Sequence, residues 1–336
     1  MDDRQQSLQN WVNQTLTDMN LESPQGSLET VSGDASFRRY FRQPTKTGSY
    51  IAVDAPPDKE NSQPFVEIAQ AWHGEGVNVP KIIRADLDQG FMLLSDMGDQ
   101  LIFPLLESGQ ADRIYPQAFD ALIGIQQTSK PLPPYDAELL DREMALFKDW
   151  FLDRHLNMSL SHSETQLLRE TFELLRETAL GQIQVPVHRD YHSRNIMQLE
   201  DGELGIIDFQ DAVFGPITYD LASILRDAYI AWPEDQVEDW AKLYFEKARS
   251  AGLIGAISDE QLMLWFDWMG LQRHIKVVGI FARLNYRDGK SGYMDDIPRT
   301  FEYIRQVSGK YDALQGFHQW IEHTLVPAID AHGAHS

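Results

Sequence analysis

The chain has 336 residues, 43% of them hydrophobic, enough for a large core, and it has no cysteine, which excludes disulfides, thiolate metal sites and cysteine nucleophiles. With 29 Lys and Arg against 51 Asp and Glu the formal net charge is −22, so nucleic acid and anionic membranes are not expected partners. No apolar run approaches the roughly 20 residues that span a bilayer, and the polar start Met1-Asp2-Asp3-Arg4-Gln5-Gln6 has no signal-peptide character, so a cytoplasmic protein is expected.

Leu8, Trp11, Val12, Leu16 and Met19 recur at helical spacing and predict an amphipathic helix over 4–20. The texture then turns strand-like: Phe37, Tyr40 and Phe41, followed by Tyr50-Ile51-Ala52-Val53, predict two strands around the turn 44–48. A helix over Pro64–Trp72 stops at Gly74 and Gly76, and two more strands, Lys81–Ala85 and Phe91–Leu94, flank the turn 86–90. Beyond Leu94 the period is helical over 111–128, 136–158 and 162–180, with Pro-rich loops between. A β-like interlude at 185–213 separates these from helices over 219–231, 234–251, 259–287 and 296–330. The order predicts an α+β protein of two lobes: a small N-terminal antiparallel sheet lobe over 1–97 and a larger, mainly helical lobe over 98–336, with a ligand cleft between them and a monomer as the default state.

The interlude carries the chemistry. It reads Val187-His188-Arg189-Asp190-Tyr191-His192-Ser193-Arg194-Asn195-Ile196-Met197, then Leu204-Gly205-Ile206-Ile207-Asp208-Phe209. Phosphoryl transfer to a hydroxyl needs a carboxylate to orient the hydroxyl and accept its proton, and oxygen ligands for Mg²⁺. A loop bearing Asp190 and Asn195, and a hairpin returning Asp208, supply both. A zinc-hydrolase reading of His188-x-Asp190-x-His192 needs a further ligand, and His155, His162, His274 and His318 stand isolated. Gly289-Lys290-Ser291 is no P-loop, because Leu284 occupies the position of the required first glycine.

The string His188-x-Asp190-x-His192-x-x-Asn195, with Ile207-Asp208-Phe209, Gly215-Pro216 and Asp220-Leu221-Ala222, resembles the catalytic segment of aminoglycoside and choline kinases. The resemblance implies a protein-kinase-like fold, ATP and Mg²⁺ as cofactors, Asp190 as catalytic base, Asn195 and Asp208 as metal ligands, and Asp220 as a buried brace of the loop. It also implies a hinge at Leu94, Ser95 and Asp96 whose backbone meets adenine. His192 and Arg194, within the string, and Asp211, shortly after Asp208, are candidate acceptor contacts.

One departure stands out. Kinases of this type carry a phosphate-binding Lys on the third strand, and Asp54 is expected at that place. Arg38 and Arg42, expected on one strand face with Arg39 on the other, are the candidate replacements, and Lys59 follows shortly after. The turn 31–36 that would cover the phosphates has a single glycine. In the helix 259–287, Arg273, Lys276, Arg283 and Arg287 fall on one basic stripe, and Arg273 and Lys276 are candidate acceptor-binding residues.

The strings Ser32–Tyr40, Asp54-Ala55-Pro56-Pro57 and Gln272–Phe281 are similar to those of bacterial anomeric kinases of N-acetylmuramate and N-acetylglucosamine. That resemblance implies phosphorylation of the C1 hydroxyl in peptidoglycan recycling. The alternatives are an aminoglycoside or choline kinase, or a nucleotide-binding pseudokinase without chemistry.

Overall fold

In a computed structural model that describes residues 2–33 and 37–333, the elements run as follows. Helix α1 (Asp3–Asp18) precedes strands β1 (Glu29–Gly33), β2 (Arg39–Pro44) and β3 (Ser49–Asp54), then α2 (Gln63–Gly74), β4 (Ile82–Asp86) and β5 (Phe91–Ser95). Helices α3 (Ile102–Glu107), α4 (Ala111–Gln126), α5 (Ala137–Leu146), a π-helical stretch Phe147–His155 and α6 (His162–Leu180) come next. Four short strands follow, β6 (Gln184–Val187), β7 (Ile196–Gln198), β8 (Leu204–Ile206) and β9 (Val213–Pro216). The chain closes with α7 (Tyr219–Leu225), α8 (Glu234–Ser250), α9 (Asp259–Asp288), α10 (Ile297–Lys310), α11 (Gln315–Trp320) and α12 (Val326–Gly333). Among the described residues no helix is long and apolar enough to cross a membrane.

Two compact units result. The first holds residues 1–106, 128–130 and 194–211; the second holds the rest. The expected lobes, 1–97 and 98–336, divide the chain differently. The β7–β8 hairpin groups with the N-terminal part because its backbone is bonded there: Gln198 N donates to Gln100 O at 2.7 Å and Ile206 N to Asn78 O at 2.8 Å.

In the first unit the antiparallel sheet has the order β1-β2-β3-β5-β4. Alternation sorts its side chains by face. Phe41, Ala52, Phe91 and Leu93 pack with Leu8, Val12 and Leu16 of α1, whereas Tyr40, Arg42, Ile51 and Leu94 line a cavity. Helix α1 begins where the Asp2 side chain accepts from Gln5 N at 2.8 Å.

The second unit is built around α9, 30 residues long, capped by Ser258 at its start and closed by Gly289 at φ +69°. Gly279 lets α9 approach the end of α5 backbone to backbone: a Cβ there would lie 2.4 Å from the Leu146 carbonyl carbon. Three predicted helices are shorter or broken. The helix expected over 136–158 is α-helical only to Leu146 and π-helical to His155. That expected over 219–231 stops at Leu225, because side chains take over its backbone groups: Tyr229 N donates to Asp227, and the carbonyls of Ala228 and Ile230 accept from Arg299 and Tyr303. The one expected over 296–330 breaks at Tyr311, whose backbone is extended.

Candidate active site

A cavity of about 450 Å³ lies within the first unit, in the size class of small-molecule sites. Its lining brings together residues far apart in sequence: Arg42 from β2, Leu94, Ser95 and Asp96 from the end of β5, and Arg194, Asn195 and Asp208 from the hairpin. The expected hinge and the expected metal ligands therefore share one wall.

At the expected hinge the sheet takes up part of the backbone. Strand β5 lies between β3 and β4, and Leu94 is in register with both Ile51 and Ile82. Ser95 N donates to Lys81 O at 2.9 Å. These backbone groups are spent on the sheet, so the segment after the strand, Asp96-Met97, is the first whose main chain is outside both ladders. The Asp96 side chain is also committed, accepting from Arg42, from Ser49 Oγ at 2.6 Å and from Gly98 N at 2.9 Å. Burial works against its charge, but Arg42 and Ser49 outweigh it and hold the carboxyl below the ordinary range.

The two arginines expected on one strand face part company. Arg42 lines the cavity, and its guanidinium is tied to Asp96, to Asp99 at 2.8 Å and to the Gly98 carbonyl at 3.2 Å. Arg38 precedes β2, where alternation does not apply. It is buried against Glu60 at 3.4 Å, with its guanidinium 5.9 Å from the Phe65 ring centroid. Lys59 is exposed beside Asp58. Of the phosphate-covering turn, Asp34-Ala35-Ser36 lie outside the described residues.

Asn195 and Asp208 meet directly: Asn195 Nδ2 lies 3.2 Å from Asp208 Oδ2, and Gln210 Nε2 donates to Asp208 Oδ1 at 2.6 Å. The Ile207 amide donates to the Asn195 carbonyl at 3.1 Å, locking the pair from behind. Phe209, fully buried, stacks on Phe65 at 4.9 Å and anchors the turn. Asp208 has φ +66°, a conformation that a side chain disfavours and that tight packing of this kind sustains. Arg194 is exposed, its guanidinium 5.2 Å from the Phe103 ring, and Asp211 is exposed.

The loop bearing Asp190 belongs to the second unit, braced at both ends by buried carboxylates. Asp220 accepts from His188 N at 2.7 Å and Arg189 N at 3.0 Å. Asp227 accepts from Ser193 N at 2.9 Å and Ser193 Oγ at 2.6 Å. His188, fully buried, accepts from Asp190 N at its Nδ1, 3.2 Å away. Arg189 also has positive φ, +74°. Burial would raise the Asp190 carboxyl, yet the charges of Lys276 and Arg189, with the His192 and His188 rings nearby, outweigh it and hold it below the ordinary range. Asp190 is thus ionised at neutral pH and able to accept a proton. His192 lies edge-on to Tyr229 at 5.4 Å.

The basic stripe of α9 is not a solvent-facing one. Because α9 is central to its unit, Arg273 and Lys276 are buried, 4% and 6% exposed. Lys276 Nζ lies 3.1 Å from Glu143 Oε1 and donates to the Tyr219 hydroxyl at 2.9 Å. Glu143 also receives Arg189 at 2.5 Å and the Tyr135 hydroxyl. Arg287 is exposed and held by Asp288 at 2.8 Å.

Asp54, expected at the lysine place, points away from the cavity. It is fully buried on the α1 face of the sheet, with Oδ1 receiving Arg4 and Oδ2 receiving Arg39 at 2.5 Å. It fastens α1 to the sheet, and Val53 is the residue that alternation turns the other way.

Glu143 and Asp227 were not singled out from sequence. Glu143 had a signal, a carboxylate on the apolar stripe Leu140, Met144, Phe147. Asp227 had another, seven residues after Asp220 and so two helical turns on.

A family model described as "Phosphotransferase enzyme family" matches residues 27–253. A Pseudomonas putida protein named N-acetylmuramate/N-acetylglucosamine kinase is 42% identical over 316 residues, 92% of this chain and 93% of that protein. A Neisseria meningitidis protein of the same name is 41% identical, with 93% of each chain covered. Among solved structures, a choline kinase from Streptococcus pneumoniae superposes with a TM-score of 0.60 at 14% identity, covering 89% of this chain and 99% of that one; the likeness is one of fold, and the fold is the kinase-like α+β one expected. With a family match over most of its length and relatives at this identity, the chain belongs to the phosphotransferase enzyme family.

Proposed function

We propose that the protein transfers the γ-phosphoryl group of ATP to the anomeric C1 hydroxyl of N-acetylmuramate and N-acetylglucosamine, giving the sugar 1-phosphate and ADP. The observation that carries this reading is the 41–42% identity, over nine-tenths of the chain, to relatives named for those two sugars. The local geometry supports it. Asp190 orients the hydroxyl and takes its proton while the oxygen bonds to phosphorus and the bond to the β-phosphate oxygen breaks.

Asn195 and Asp208 are the residues that would hold Mg²⁺. They form an oxygen-donor pair, and Mg²⁺ commonly uses one or two protein carboxylates and completes its shell with phosphates and water. When bound, the ion supplies positive charge to the β- and γ-phosphate oxygens. Adenine lies along the Asp96-Met97 backbone, beside Arg42, which lines the same cavity. His192, Arg194 and Asp211 are the acceptor contacts of this reading.

A coupled ADP-release assay with amino sugars, aminoglycosides and choline tests it. Turnover confined to the two N-acetylated sugars is expected. Preference for an aminoglycoside or choline would overturn the acceptor class, and nucleotide binding without turnover would favour the pseudokinase.

A further inference from the structure

Inside the second unit, cations are matched by carboxylates. Arg189 and Lys276 share Glu143, and Lys276 and Arg189 also act on Asp190, so two positive groups meet two negative ones. Arg273 is buried and its charge acts on Asp220, but its Nη1 has no hydrogen-bond partner. Arg226 meets Asp267 at 2.7 Å. Besides Arg273, a second, partly buried cation of α9 lacks an ion pair among the described residues. Arg283 forms no ion pair among the described residues, and its Nε is buried without a hydrogen-bond partner. Burial and the nearby Arg287 work against its charge and outweigh the favourable influence of Asp288 and Glu143. A cation kept in such surroundings costs folding free energy that an arriving anion offsets.

Its position fits the acceptor end of the site. Arg283 follows Lys276 by seven residues, so the two lie on one face of α9, about 10 Å apart along the axis. Helical side chains lean toward the N-terminus, which carries the Arg283 guanidinium back toward Lys276. Glu143, the carboxylate that holds Lys276 and Arg189, is within electrostatic reach of Arg283. Gly279 stands between the two cations on that face, with the Leu146-Phe147 backbone packed against it.

We propose that Arg283 receives the carboxylate of an acidic acceptor, here the lactyl carboxylate that distinguishes N-acetylmuramate from N-acetylglucosamine. The proposal rests on the sugar-kinase reading above and adds Arg283 to the candidate acceptor-binding residues Arg273 and Lys276, of which Lys276 is already paired with Glu143. A guanidinium suits the task, because its planar fork meets a carboxylate with two parallel hydrogen bonds.

The readout is the ratio of kcat/KM for N-acetylmuramate to that for N-acetylglucosamine, which cancels general losses of activity. Arg283→Ala should lower this ratio about tenfold or more, the scale of a charge-assisted hydrogen bond, and Arg283→Lys should lower it less. A second probe leaves the protein untouched: the methyl ester of N-acetylmuramate should be a poorer substrate than the acid for wild type and no poorer for Arg283→Ala. If Arg283→Ala does not fold, the ester on wild type and the ratio in Arg283→Lys decide. An unchanged ratio in the folded variant, or an ester as good as the acid, overturns the assignment while leaving the sugar-kinase reading intact. A wild-type enzyme that phosphorylates neither sugar overturns both.

Discussion

Replacing Asp54 separates two accounts of the strand that lacks the usual lysine. In the structure the carboxylate is fully buried and receives Arg4 and Arg39, whose side chains are 40% and 38% exposed. Asp54→Asn removes two charge-assisted contacts, each worth about 1.5–3 kcal/mol when desolvated. Both guanidinium groups can turn to water, and burying the carboxylate was itself unfavourable, so the net loss falls near about 1–3 kcal/mol. At roughly 2–4 °C per kcal/mol for a larger domain, the melting temperature should drop by several degrees. The KM for ATP should stay within about twofold, because the side chain lies on the α1 face and not on the cavity face. Asp54→Lys would set a third cation against Arg4 and Arg39; it should unfold the unit before it helps nucleotide. Thermal melts and ATP titrations on one preparation check this. A large rise in the KM for ATP at unchanged stability would refute the assignment.

Asp208→Ala should weaken nucleotide binding in the presence of Mg²⁺ by far more than in its absence, and Asn195→Ala should do so less severely, read by titration with and without the ion. Glu143→Gln should leave Lys276 and Arg189 without their shared counter-charge and lower kcat about tenfold or more, with the KM for ATP little changed; equal effects on both constants would make Glu143 merely structural. His274 is buried beside Arg226 and Arg273, and burial lowers its pKa from 6.5 to about 3. The unfolded chain therefore takes up a proton below 6.5 that the folded chain refuses, and stability is lost as pH falls from 6.5 toward 3. One pH unit below the unfolded pKa the loss is about 1.4 kcal/mol, and urea unfolding of wild type against His274→Gln should show the difference shrink in the variant.

Four strands of the five-stranded sheet and most helices were legible because each is local, alternation, period and spacing being properties of short windows, whereas β1 was not, its end having been read as part of the turn 31–36. Asp190, Asn195 and Asp208 announce themselves by their spacing, and Asp220 by its place in the motif. What sequence could not show depends on which face a residue takes once the unit is packed. Asp54 sits at the right strand position but its neighbour's parity turns it toward α1, a difference of one residue. Arg273 and Lys276 share a stripe with Arg287, but α9 is enclosed over most of its length, so the same stripe is buried at one end and wet at the other. The helix breaks at Leu225 and Leu146 come from tertiary hydrogen bonds and packing, not from local propensity.

The most direct test of the proposed chemistry is the product formed from ATP and N-acetylmuramate or N-acetylglucosamine by wild type and by Asp190→Asn, followed by phosphorus NMR. Wild type should yield the anomeric sugar phosphate and ADP. Asp190→Asn should bind ATP as before and turn over at least about a hundredfold more slowly, the usual scale for losing a positioned base. A variant that keeps half of the wild-type kcat, or a wild type whose phosphate appears on a hydroxyl other than C1, would contradict the account.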